Sequence, residues 1–146
     1  MKTGGEFDLV VKNSHKALET YEKIFDIKRI EVTDRPVGNN GAVFSIYDVR
    51  FHMLDENLEF QLKAPETGAQ PSFWFNIAVP DIEKIHKKAL EADCSEIQAV
   101  TEVHGFGVSN SMFSDSFGYV WMLHQIDEIV SFEDRMRIME DLQGAE

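Results

Sequence analysis

The stretch Gly41 to Leu54, G-A-V-F-S-I-Y-D-V-R-F-H-M-L, is written a second time between Gly107 and Leu123. Both copies run small, polar, aromatic, Asp-containing turn, aromatic, Met, Leu, and the later copy carries three extra residues in its turn. In that copy, Asp115-Ser116-Phe117-Gly118 sits between two apolar runs, the pattern of a hairpin whose Gly supplies an unusual backbone angle. Beyond it Tyr119, Trp121 and Leu123 alternate with Val120, Met122 and His124, so one face of the last strand is bulky and apolar. Such a repeat leaves few folds open, because both halves of the chain have to adopt the same one.

The surrounding segments repeat as well. Glu6 to Val11 alternates acid and apolar, as in a half-buried strand. Asn13 or Ser14 can cap a helix that buries Ala17, Leu18, Tyr21, Ile24 and Phe25 along one face. Ile27 to Thr33 reads as a strand and Asp34 to Gly41 as a loop. Ala42 to Tyr47 and Val49 to Asp55 are two strands about a tight turn at Asp48. Glu56 to Pro71 reads as a linker with a possible short strand over Leu58 to Leu62. The pattern then restarts: Phe73 to Val79 is a strand, and Pro80-Asp81 opens a helix carried by Ile82, Ile85, Ala89 and Leu90. Glu96 to Val103 is a strand, and Gly105-Phe106-Gly107 turns into the closing hairpin. Setting Val11-Lys12-Asn13 on Val79-Pro80-Asp81 gives an offset of 68 residues, close to that of the hairpins. A capping signature at Ser131 and Asp134 starts a terminal helix, with Phe132, Met136, Met139 and Leu142 along one side.

The chain has 146 residues, enough for one domain with a real core. Its net charge of -12, from 26 acids against 14 bases, repels phosphate backbones and argues against nucleic-acid and anionic-membrane partners. Cys94, the single cysteine, excludes an internal disulfide and suggests a reducing compartment. Without a long apolar run or a signal-peptide core, the expectation is a cytoplasmic protein.

Paired strand-helix-strand-strand-strand units closed by Asp115, Phe117, Gly118, Tyr119 and Trp121 resemble the vicinal oxygen chelate superfamily. That superfamily includes glyoxalase I, bleomycin-resistance proteins and extradiol dioxygenases. The likeness is strongest to its PhnB-like branch, through Ala17-Leu18, Tyr21, His52-Met53-Leu54-Asp55-Glu56 and Phe113; Ser116 stands where that branch usually has proline. The resemblance implies an α+β fold of two βαβββ modules, residues 6–56 and 72–125, joined by a linker at 57–71. Together they form a cup-shaped sheet within one domain, followed by a C-terminal helix over 131–142. It also implies a homodimer, with cups built within one chain or across two.

Catalytic relatives hold a divalent metal with His or Glu from four strand positions, where it polarises a substrate oxygen. Carried over one at a time, these positions fall on Glu6, a competent carboxylate, on Trp74, which cannot ligate, and on Met122, a soft thioether. The fourth is Met53 if the two Met-Leu pairs are matched, or His52 if strand alternation decides, and alternation is preferred. The expected ligand-binding set facing the cup is therefore Glu6, Asp8, Arg50, His52, Trp74, Asn76, Met122 and His124. Ser45, Tyr47, Ser109 and Ser111 would join it from neighbouring strands. If a reaction is catalysed, the candidate residues are His52, Glu6 and His124, a histidine beside a carboxylate being a serviceable base. Glu6 with Arg50, and Asp8 with His124, could alternatively be satisfied pairs in a filled barrel. His15, His86 and His104 are expected on the surface, and Cys94 in a structural role. The resulting expectation is a small-molecule binder with no metal cofactor; the alternative is a lyase, isomerase or dioxygenase using a divalent metal.

Overall fold

The structure, a computed structural model, describes residues 1–66 and 72–144. Strand β1 (Phe7–Val11), helix α1 (Ser14–Ile24) and strands β2 (Ile27–Val32), β3 (Gly41–Ile46) and β4 (Val49–Asp55) form the first module. Strand β5 (Phe75–Ala78), helix α2 (Ile82–Glu91) and strands β6 (Ser95–Val103), β7 (Val108–Ser114) and β8 (Val120–Ile126) form the second. Helix α3 (Phe132–Gly144) follows.

The two sheets have the same order, β1-β4-β3-β2 and β5-β8-β7-β6, with one parallel pair in each. Phe7 pairs with Phe51 and Phe75 with Trp121, so the registers correspond as well as the orders. This is the fold expected from the repeat.

Each helix starts where the sequence places its cap. The Asn13 side chain accepts from Lys16 N and the Asp81 side chain from Lys84 N, satisfying amides that the first turn would leave orphaned. Each helix entry is also tied to its own sheet. Asp55, at the end of β4, accepts from Ser14 N at 2.7 Å, and Gln125 on β8 accepts from Ile82 N at 2.8 Å.

The apolar faces of the two sheets meet in one core. The Phe51 ring lies 5.3 Å from Phe75 and 5.8 Å from Trp121, and Tyr21 of α1 lies 5.3 Å from Trp121. Asp115 latches the modules from inside this core. Its carboxylate accepts from Tyr21 Oη across the boundary, from Trp121 Nε1, and from the Phe117 and Tyr119 amides of its own turn. Tyr119 Oη bridges back to the N–H and carbonyl of Val10 on β1. Gly118 of the same turn has φ +101°, and a Cβ there would lie 2.7 Å from Pro65, so the turn needs glycine for backbone angle and for space.

Three expectations are corrected. Leu58 to Leu62 is not a strand: Leu58–Phe60 is a 3-10 turn capped by Asn57, and Asn57 and Leu62 make a single bridge. Residues 67–71 of the linker lie outside the described residues. His86 is buried against Phe113, with Nε2 2.9 Å from Glu96, rather than on the surface. In α3 the cap forms as expected, Asp134 N donating to Ser131 Oγ, but of the expected apolar side only Met136 is half-buried. Ile138 lies over Gly105, while Phe132, Met139 and Leu142 are exposed.

Candidate functional site

Strand alternation divides each sheet into a sealed face and an open one. On β1 and β4, Leu9, Val11, Phe51 and Met53 are buried, whereas Asp8, Arg50 and His52 point the other way. On β5 and β8, Phe75, Ile77, Trp121 and Leu123 are buried, and Asn76, Met122 and His124 lie opposite. His52 stands beside Asp8 as Met122 stands beside Asn76, so His52 and Met122 occupy corresponding positions and Met53 belongs to the core. Trp74 directly precedes β5 and is half exposed.

The eight expected residues fall into two groups. In the first, Glu6 Oε2 accepts from Arg50 Nε at 2.7 Å. His52 Nδ1 lies 3.7 Å from both Glu6 Oε1 and Asp8 Oδ1. The donor atoms of Glu6, Asp8 and His52 lie within 4.8 Å of one another, which adds Asp8 to the two ligands foreseen from the sequence. A cavity of about 330 Å³ beside this group is lined by Gly5, Glu6, Phe7, Asp48, Val49 and Arg50. In the second group, His124 Nδ1 meets Asn76 Oδ1 and not Asp8. Ser45 pairs with Arg50 and shares the open face, but Tyr47 sits in the β3–β4 turn at φ 51°.

Ser109 and Ser111 do not face the cup. Ser111 pairs with Leu123 and is fully buried, and Ser109 pairs with Gln125 on the helix side. The outward residues of β7 are Asn110 and Met112, opposite His124 and Met122. The missed signal was the register of the hairpin, since counting from its turn puts Met112, not Ser111, across from Met122.

Because the sealed faces meet each other, the open faces look away from each other. Glu6, Asp8, Arg50 and His52 therefore gather on one side of the chain, and Asn76, Met122 and His124 on the other. Exposed aromatics lie at the seam: Phe7 is 53% exposed, Phe73 54% and Trp74 50%.

Residues 5–123 match the family model for the Glyoxalase/Bleomycin resistance protein/Dioxygenase superfamily. No curated protein matches the chain. Among solved structures, the chain is similar to the fosfomycin resistance protein FosX from Listeria monocytogenes, crystallised with Mn(II) and sulfate. Identity is 13%, the TM-score is 0.66, and the match covers 95% of this chain and 98% of that one. It is also similar to the PhnB protein from Bacillus cereus, at 13% identity, TM-score 0.62, and 84% and 99% coverage. TioX from Micromonospora sp. ML1 matches at 12% identity, TM-score 0.59, and 89% and 99% coverage. At these identities the likeness is one of fold.

Proposed function

Since the chain belongs to the glyoxalase/bleomycin resistance protein/dioxygenase superfamily, we propose that it binds an aromatic or cationic small molecule in a cup completed by a second copy of itself. The first-module face of one copy would stand over the second-module face of the other. The observation that carries this reading is the gathering of Glu6, Asp8, Arg50 and His52 on an open sheet face whose reverse side is sealed in core. Ionisable groups in such a cluster gain nothing for the core, but they can orient a ligand. The exposed seam aromatics add surfaces on which planar or cationic groups stack.

A catalytic divalent metal fits the four carried-over positions taken together poorly. Two carboxylates and an imidazole suit such an ion, and Glu6, Asp8 and His52 would hold it. Against this, the Arg50 guanidinium already occupies Glu6, and the corresponding second-module positions are Trp74 and Met122, which offer no hard donor. The proximity of the three donors still favours a second reading, a metal-dependent lyase, isomerase or dioxygenase of the same superfamily.

One titration and one assay separate the two. Tryptophan fluorescence followed across a panel of cationic aromatic compounds should change saturably with at least one, and Trp74→Ala should abolish the change. A panel with no saturable response contradicts binding. Stoichiometric Fe, Mn, Ni or Zn in the purified protein, lost in Glu6→Ala, would establish the metal-dependent reading instead.

A further inference from the structure

The second-module face carries donors of a different kind. Met112 and Met122 are direct cross-strand partners on β7 and β8, and both are half-buried on the open face. Residues so paired have Cβ atoms about 5 Å apart, so two flexible thioether side chains can reach one point between them. His124 follows Met122 on the same face, diagonal to Met112.

That histidine is held by a neighbour on the adjacent strand. His124 Nδ1 meets Asn76 Oδ1, a carbonyl oxygen that can only accept, a contact satisfied by the tautomer that donates from Nδ1. In that tautomer the lone pair is on Nε2. A histidine whose one nitrogen is anchored to an oxygen acceptor and whose other is bare is the form in which imidazole ligates metals.

From this arrangement we infer that Met112, Met122 and His124 form a site for a soft monovalent cation, Cu(I) or Ag(I). Thioether sulfur and imidazole nitrogen select such ions. Around them, within one chain, the open face offers Asn76, Ala78, Gln98, Asn110 and Ser114, with no carboxylate from β5, β7 or β8 among the described residues. Within one chain the site lies on a different sheet from the Glu6–Asp8–His52 group, and it does not depend on the small-molecule reading.

The test titrates the purified full chain with Cu(I), anaerobically, against a chromogenic Cu(I) chelator. One Cu(I) per chain is expected, displaced by Ag(I) and not by a hundredfold excess of Zn(II) or Mn(II). Met112→Leu and Met122→Leu should each weaken binding at least tenfold, while His104→Ala and Cys94→Ser leave it unchanged. Because substitutions in a sheet can perturb folding, the wild-type chain with methyl-labelled methionine gives a second reading. Of the six methionines, only the Met112 and Met122 methyl resonances should shift on adding Ag(I). Absent binding, binding that survives loss of both methionines, loss of binding in Cys94→Ser, or shifts confined to other methionines would each overturn the site. Fluorescence titration with organic compounds is a separate readout, so failure of the cation site leaves the small-molecule reading standing.

Discussion

Asp55 ties the first helix and the β2–β3 loop to the end of β4. Its carboxylate accepts from Ser14 N and Oγ and from the Gly38 and Asn40 amides. Burial alone would raise this carboxyl, but the hydrogen bonds outweigh burial and hold it below its ordinary value of 3.8. A carboxyl lowered on folding adds stability above its unfolded value and loses it as pH falls through the folded one. Thermal stability should therefore drop below about pH 4, and Asp55→Asn should flatten that part of the profile. At neutral pH the same substitution turns an acceptor toward two donors and should cost about 2–4 kcal/mol in denaturant unfolding. Cys94 makes a second residue-scale case. Burial first, then the Asp115 and Asp93 charges, push its thiol up to about 12, so a thiol reagent should react only after unfolding. Labelling of the native chain within minutes would contradict this. At this scale the sequence was partly legible. Alternation placed Arg50 and His52 correctly opposite Phe51 and Met53, because large apolar residues declare their face. Ser111 was misplaced because a small hydroxyl can be buried with little packing penalty, and His86 because a helix histidine shows no sign of the Glu96 that meets it from another strand.

The helices and hairpins were easier to read than the contacts between them. Caps at Asn13, Asp81 and Ser131 form as their side chains predict, since a cap is satisfied within four residues of itself. The function of Gly118 was only half visible: the turn demanded its backbone angle, but the approach of Pro65 from the linker is a tertiary fact. Gly118→Ala should destabilise the chain by about 1–3 kcal/mol from backbone strain, with the Pro65 contact adding to it. An unchanged denaturation midpoint would refute that account of the turn. Helix α3 shows the opposite limit. Helical periodicity found an apolar stripe, yet α3 has no buried residue and presents Phe132, Met139 and Leu142 to solvent. Ending the chain at Val130 should accordingly leave the fold intact, with near-unchanged near-ultraviolet circular dichroism; loss of that signal would show that α3 supports the core.

For the whole molecule, repetition in sequence became repetition of sheet order and register, and the modules close on each other through their apolar faces. What the repeat could not reveal is which way the polar faces would look, because alternation fixes a face within a sheet but not the packing of one sheet on another. That packing, with the aromatics left exposed at its seam, is the ground for proposing a site built by two copies. Mass in solution by sedimentation equilibrium tests this most directly. The account predicts a particle of twice the 16.7 kDa chain mass, falling toward one chain when charge is placed at the seam by Phe73→Asp. A wild-type particle of 16.7 kDa that still binds its ligand saturably would contradict it.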